Sequence, residues 1–161
     1  MSDLVYLDLS DSVYNEELRW ECVALGGRWD RKAKAWAFPA ERAEEVERLN
    51  KVYNSDFVDV EICFLKDYRC LTLKFELAGY QIATGAMTKL RLGIYVKQKG
   101  GDKPSISYPD DYVFHRGTVL TARMTRTLMT KVAQEWKGTL SLRDTAQPNS
   151  ANDLVYGSWA E

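Results

Sequence analysis

The spacing of the apolar residues changes once along this chain, near residue 55, and that change limits the folds the chain can adopt. Between Tyr14 and Leu25 apolar side chains recur every three or four residues, which is the period of one helix face. Residues 58–64 and 71–77 instead alternate apolar with polar positions, as half-buried strands do. The sequence therefore predicts an α+β protein in which helices are followed by an antiparallel sheet.

These periods divide the chain into three predicted parts. Residues 1–54 are predicted to form a small helix–hairpin–helix module, in which Gly26-Gly27 ends the first helix and Pro39 begins the second. Residues 55–145 are predicted to form an antiparallel sheet domain with one packed helix over 122–137. Residues 146–161 contain Gln, Pro, Asn and Ser in succession and are predicted to form a flexible C-terminal segment.

Within the second part the sequence predicts specific pairings. Residues 58–64 are expected to form a hairpin with residues 71–77, and a third strand is expected over 90–96. Residues 99–104 contain two glycines and a proline and are predicted to form a loop.

Composition favours a folded cytoplasmic protein. The chain has 161 residues, of which 45% are hydrophobic and 28% are charged, as is usual for globular domains. No apolar run approaches the roughly 20 residues of a membrane-spanning helix, and the start lacks a signal peptide pattern. We therefore expect no membrane partner.

Neither catalysis nor a bound metal is predicted. Cys22, Cys63 and Cys70 are an odd number without the close pairs of zinc sites, and we expect them to be buried thiols. His115 is the only histidine, and no motif places a nucleophile near it. The sequence therefore predicts a protein that is not an enzyme, with no cofactor and no small-molecule substrate.

Charge is unevenly distributed along the chain, although the net charge is −1. Residues 1–85 carry 11 Lys/Arg and 16 Asp/Glu (−5), residues 86–137 carry 10 and 4 (+6), and residues 138–161 carry 1 and 3 (−2). The basic middle part could present one face to phosphates or to an acidic protein. Alternatively, its lysines and arginines are scattered over the surface.

The predicted hairpin in the first part combines aromatic and basic residues. Trp29 and Trp36 could stack on nucleic-acid bases, or they could supply most of the buried area of a small unit, packed against Leu18, Leu25 and Val46. The basic residues of the loop are harder to explain as core, and we expect them to contact phosphates. The candidate nucleic-acid-binding residues are Arg28, Trp29, Arg31, Lys32, Lys34, Trp36, Arg123 and Arg126, the last two as neighbours on one face of the helix over 122–137.

One stretch has a family-like pattern. It consists of Tyr14-Asn15-Glu16-Glu17-Leu18, Ala24-Leu25-Gly26-Gly27-Arg28-Trp29-Asp30 and Lys34-Ala35-Trp36-Ala37-Phe38-Pro39, followed by Val46 and Leu49. This stretch resembles the HARP domain of annealing helicases and the related "GARWD…K.W..P" modules of phage and plasmid DNA-processing proteins. The resemblance covers Tyr14 to Leu49 and implies a small helix–hairpin–helix fold that contacts DNA.

Two functions remain open at this point. The first is a nucleic-acid-associated accessory protein, encoded by a phage or mobile element, that binds DNA. The alternative is a phage-type inhibitor or adaptor that binds a host defence or DNA-processing enzyme through surface aromatics, namely Tyr68, Tyr80, Tyr95, Tyr108 and Tyr112. A continuous basic strip that joins the hairpin to the positive residues of 86–137 favours nucleic acid, and dispersal of those residues favours the protein partner.

Overall fold

The computed structural model describes residues 3–70, 74–86, 89–107 and 111–146. The first part of the chain is a three-stranded sheet covered by two helices. Its elements are β1 (Leu4–Asp8), α1 (Glu16–Ala24), β2 (Arg28–Asp30), β3 (Ala35–Pro39), a 3-10 turn (Ala40–Arg42) and α2 (Ala43–Tyr53). The strands are antiparallel in the order β1-β3-β2. Because β1 adds a third strand, the prediction of a two-stranded hairpin between two helices is not confirmed.

The remaining elements form three further antiparallel sheets and one helix, which confirms the mixed α+β fold. They are β4 (Phe57–Phe64), β5 (Tyr68–Cys70), β6 (Lys74–Leu77), β7 (Tyr80–Ala86), β8 (Lys89–Leu92), β9 (Lys97–Gly100), β10 (Ser105–Ser107), β11 (Asp111–Phe114), β12 (Val119–Thr125), α3 (Arg126–Glu135) and β13 (Leu140–Asp144). The strand orders are β13-β4-β12-β9, β6-β7-β8 and β10-β11-β5.

The predicted hairpin of residues 58–64 with residues 71–77 is wrong. β4 lies between β12 and β13, with Val60 opposite Ala122 and Ile62 opposite Leu142. The described part of 71–77 is β6, which pairs with β7 through a two-residue turn with positive φ at both positions. Such turns match the twist of a hairpin, so the local pairing forms there. Alternation identifies the faces of a strand but not its partners.

The predicted helix over 122–137 begins too early. Residues 119–125 are the strand β12, in which Leu120, Ala122 and Met124 are buried on one face. Thr125 then caps α3 by accepting the Leu128 N–H at 3.3 Å. The sequence pattern extended the helix back past residue 126 because Met124, although it lies in a strand, also faces the core.

The predicted strand over 90–96 is correct only for residues 90–92, because beyond them the chain passes from one sheet to another. β8 ends at Leu92 and β9 begins at Lys97. Between them a turn is closed by the Val96 N–H, which donates to Gly93 O at 3.0 Å. A Cβ at Gly93 would collide with Gln81 O, so only glycine fits at this crossing. The predicted loop over 99–104 is correct only beyond Gly100, where β9 ends.

The hydrophobic core is continuous across residue 54, where the sequence predicts a domain boundary. One cluster of buried side chains includes Leu7 and Phe38 of the first sheet together with Val60 and Leu142 of the four-stranded sheet. Helix α2 contacts both β1 and α3. The two predicted parts therefore share their core. The predicted flexible segment, apart from Ala146, lies outside the described residues.

Asn15 fastens the first part to the β6–β7 turn. Its side chain caps α1 by accepting the Leu18 N–H at 3.1 Å and donates to Ala78 O at 2.9 Å. The backbone N–H of Glu16 donates to Gly79 O at 2.8 Å. Asn15 is only 3% exposed, so these bonds are shielded from water and hold α1 against the second part.

Candidate nucleic-acid interface

One face of the first sheet carries a row of aromatic side chains with graded burial. Trp36 lies opposite Leu7 of β1 on one side and opposite Trp29 of β2 on the other. Phe38, two residues further along β3, points to the same side. Phe38 is fully buried, Trp36 is half-buried against the core, and Trp29 is 45% exposed. The row therefore leads from the core to the surface.

The two tryptophans contact each other edge to face, with ring centroids 5.8 Å apart and an interplanar angle of 64°. This is a favourable arrangement for an aromatic pair. Trp36, the more buried of the two rings, packs against Trp29. The Trp29 ring lies beside the basic turn of the hairpin.

The turn between β2 and β3 is held by Asp30. Its Oδ1 accepts the N–H groups of Lys32 and Ala33 at 2.9 and 3.1 Å, and Lys34 takes a left-handed conformation with φ of 52°. Arg28, Arg31, Lys32 and Lys34 are all exposed. None of these four side chains forms an ion pair with any residue in the described part of the chain.

Two cavities lie next to each other at the surface. The first, about 480 Å³, is lined by Trp29, Trp36, Leu18 and Arg19 among others. The second, about 150 Å³, is lined by Ile94, Tyr95 and Arg123 among others. Val13 and Tyr14 line both cavities. We call the combined surface the aromatic groove.

Three rings in the aromatic groove remain accessible. Besides Trp29, the side chains of Tyr14 and Tyr95 are 56% and 51% exposed. The Tyr14 hydroxyl donates a hydrogen bond to Glu16 Oε2. Partial burial, followed by this bond to the carboxylate, raises the pKa of Tyr14 to about 12. The hydroxyl therefore stays protonated at neutral pH, and the bond orients the ring.

Arg123 and Arg126 do not form the pair that the sequence predicts. Arg123 is on strand β12, exposed, with its guanidinium 5.4 Å from the centre of the Phe57 ring. Arg126 is the first residue of α3 and donates to Asp56 at 3.1 Å and to buried Asp144 at 2.9 Å. Hydrogen bonds to Asp144 and then Asp56 raise the pKa of Arg126. Arg126 thus links the start of α3 to the segment before β4 and to the end of β13. Of these two arginines, only Arg123 borders the aromatic groove.

The other basic residues of 86–137 do not form one strip with the hairpin. Lys99 pairs with Glu61, and Lys131 lies 3.8 Å from both Glu17 and Glu135. Lys89 and Arg91 are on β8, in a different sheet. These charges are dispersed over several elements, and Lys99 and Lys131 are neutralised locally.

The proposed surface tyrosines are mostly not on the surface. Tyr80 and Tyr112 are only 3% and 1% exposed, which contradicts their predicted role in binding a partner. Tyr68 is half-buried, with its ring 5.2 Å from those of Phe75 and Trp136. Tyr80 and Tyr112 lie on the covered face of their strands, next to exposed Gln81 and half-buried Val113 on the other face. Tyr95 is exposed as predicted, and Tyr108 lies outside the described residues.

His115 does have a hydroxyl near it, although no sequence motif places one there. Ser105 Oγ lies 2.6 Å from His115 Nε2, and Asp67 Oδ1 lies 3.9 Å from Nδ1. Neighbouring strands β10, β11 and β5 bring the three together. However, Asp67 is 66% exposed and is beyond hydrogen-bond distance, unlike the buried, hydrogen-bonded carboxylate that orients the histidine of a catalytic triad. We assign these residues no catalytic role.

All three cysteines are buried free thiols, as predicted. Burial raises the pKa of Cys22 and of Cys63 to about 12 and that of Cys70 to about 11, against an ordinary value of 9.0. A thiol reacts as the thiolate, so these groups are in their unreactive form at neutral pH.

We therefore expect the three thiols to resist iodoacetamide at about pH 8 and to react when the protein is unfolded in urea, as measured by intact mass. Because their pKa values are higher in the folded than in the unfolded state, their contribution to stability is complete below about pH 9 and is lost as the pH rises toward 11–12. Alkylation of the native protein would show that at least one thiol is accessible.

Comparison of the chain with family models, with curated proteins and with solved structures finds no match. Within the described ranges, no group of three or more His, Cys, Asp or Glu side chains is placed to hold a metal ion. No helix in the described part is long and apolar enough to cross a membrane.

Proposed function

We propose that this protein is a non-enzymatic accessory protein that binds nucleic acid, with the β2–β3 hairpin as its main contact. The observation that carries this proposal is the set of four exposed basic side chains on the hairpin, Arg28, Arg31, Lys32 and Lys34, without ion-pair partners among the described residues. The hairpin holds one acidic residue, Asp30, whose Oδ1 is engaged by backbone N–H groups.

This cluster differs from the other basic residues near it. Arg42, Arg48 and Lys51 on the following segment each lie within 4 Å of a glutamate. Lysines and arginines that have no internal partner repel one another and attract polyanions, and each phosphate they neutralise releases a counterion. A compact cluster of four such charges on a short, rigid turn is therefore suited to a phosphate backbone.

The sequence pattern supports the same class of ligand. The stretch from Tyr14 to Leu49 that resembles HARP-type modules contains the whole hairpin. On this basis we propose DNA as the ligand and a phage or mobile element as the source. Because contacts to phosphates carry no sequence information, we expect binding without sequence preference.

The test is charge reversal in the hairpin. We expect a variant with Arg31, Lys32 and Lys34 changed to Glu to bind labelled DNA more weakly, with a shallower dependence of affinity on salt. Each lost phosphate contact reduces the logarithmic slope by about 0.7 for single strands and about 0.9 for duplex. Fluorescence anisotropy over a salt series measures both quantities.

A matched control has the same change in net charge away from the hairpin. Lys66, Lys103 and Lys137 are exposed and lie in three different loops, so their reversal to Glu should have a much smaller effect. Equal losses of DNA affinity in the two triple variants would show that the hairpin contributes to binding only through its net charge. Absence of any complex with single- or double-stranded probes at low salt would reject the proposal.

Two observations favour the second candidate, an inhibitor or adaptor that binds a host protein. The basic residues of 86–137 are dispersed, and Ile94 is 90% exposed beside exposed Tyr95. An exposed apolar side chain of this size is a common feature of protein contacts. A pull-down from host lysate separates the two candidates, since nuclease treatment removes partners that are held through nucleic acid and leaves direct protein partners.

A further inference from the structure

We infer that the nucleic acid bound by this protein is single-stranded and that its bases stack on the rings of the aromatic groove. The inference rests on the proposed function and adds the strandedness of the ligand and the place where its bases bind.

The first step concerns access to Trp29. Its ring is 45% exposed, is supported by Trp36 at 5.8 Å, and forms part of the wall of a cavity of about 480 Å³. Bases within a duplex are stacked on one another, and their faces are unavailable to a side chain. Unpaired bases can turn out of the base stack and stack on an aromatic ring instead. Of single-stranded and duplex nucleic acid, only a strand with unpaired bases can therefore stack a base on this ring.

The second step concerns the length of the site. Tyr14 borders both cavities, and Tyr95 lines the one further from Trp29. Three exposed rings thus line the two adjacent cavities of the aromatic groove, and the Tyr14 hydroxyl bond to Glu16 orients the ring that the two cavities share. A series of rings along one path is the arrangement by which proteins bind successive bases of a strand without reading their sequence.

The third step concerns charge. Arg19 lines the first cavity and Arg123 the second, and the unpaired basic turn lies beside Trp29. Arg19 is partly neutralised by Glu16, at 3.6 Å, and Glu76 is close enough to influence Tyr14. Positive charge is therefore strongest near Trp29 and at Arg123, and it is weakest near Tyr14, where Glu16 and Glu76 lie. This pattern fits an anionic backbone with stacking bases better than an acidic or purely apolar peptide.

The experiment compares a labelled thymidine oligonucleotide of about 15 nucleotides with a duplex of the same length, by fluorescence anisotropy on the full chain. We expect the wild type to bind the single strand more tightly. Trp29→Ala should weaken single-strand binding by about 5- to 150-fold, corresponding to the loss of one base–ring stack. It should leave the salt slope unchanged, because the phosphate contacts remain.

Two variants serve as controls. Trp20 is 60% exposed on α1 but lines neither cavity, so Trp20→Ala should bind like the wild type. Trp29→Phe retains a ring and should recover most of the affinity. Melting temperatures of all variants identify any loss that arises from unfolding.

The outcomes separate the inference from the proposed function. Equal affinity for single strand and duplex, with Trp29→Ala equivalent to Trp20→Ala, would overturn the inference and leave nucleic-acid binding intact. Inorganic polyphosphate that competes as well as the oligonucleotide would also overturn it, because binding would then be electrostatic only. Absence of binding to every probe at low salt would reject both.

Discussion

Truncation of Phe38 to alanine is expected to lower the free energy of unfolding by about 3–5 kcal/mol, as for other fully buried aromatic residues. Phe38 has no exposed surface, and its ring is so close to the chain just after α1 that a Cβ at Gly27 would lie 2.7 Å from it. It joins the first sheet, the first helix and the shared core. The cavity left by truncation would therefore affect all three, and urea unfolding measures its cost.

The same row of side chains supplies graded controls. Trp36→Ala should cost less than Phe38→Ala because Trp36 is only half-buried, and Trp29→Ala should cost the least because its ring is 45% exposed. Tyr6 lies on the opposite face of the sheet and is 52% exposed, so Tyr6→Ala should have little effect. A larger cost for Trp29 than for Phe38 would contradict the observed burial.

This row also shows which features of the fold the sequence contained. The sequence predicted α1, β2, β3 and α2 close to their observed positions, and Gly26-Gly27 follows the first helix as predicted. Pro39 does not begin the second helix, because it is the last residue of β3 and α2 begins at Ala43. The sequence did not distinguish among the large aromatics of the hairpin. Burial of Phe38 rather than Trp29 depends on the third strand and on the second part of the chain, which are remote in sequence.

The wrong predictions for the second part of the chain have the same cause, namely contacts between residues that are remote in sequence. The alternation in 58–64 identified a strand, but its partners β12 and β13 lie more than 50 residues away, and nothing in residues 58–64 specifies them. The strand–helix junction at Thr125 was misplaced because Met124 faces the core in a strand as it would in a helix. Distant pairing and junctions depend on tertiary packing more than on local period.

The candidate site likewise has one part that the sequence predicts and one part that it does not. The exposed basic turn was predictable because four basic residues within seven positions cannot all be buried. The aromatic groove was not predictable, since Tyr14, Trp29 and Tyr95 meet there only through the fold. Arg126 was misjudged because its two carboxylate partners, Asp56 and Asp144, come from distant segments.

The junction between α1 and the β6–β7 turn should be sensitive to a single added methyl group. Gly79 has a φ of 87°, and a Cβ there would lie 2.8 Å from Asn15 Cγ and 2.9 Å from Glu17 Cβ. Asn15 cannot move away without losing its bonds to the Leu18 N–H and to Ala78 O. Gly79→Ala therefore combines backbone strain, a collision and the loss of a helix cap.

Gly26 provides the matched control because its φ of 80° is similar and a Cβ there would meet nothing within 4 Å. Gly26→Ala should cost about 1–2 kcal/mol from the left-handed backbone alone. Gly79→Ala should exceed it by about 2 kcal/mol or more, since overpacking costs about 1–3 kcal/mol and a lost cap about 0.5–2 kcal/mol. Equal values from urea unfolding of the two variants would show that Asn15 can shift without cost, and that α1 is not anchored through this contact.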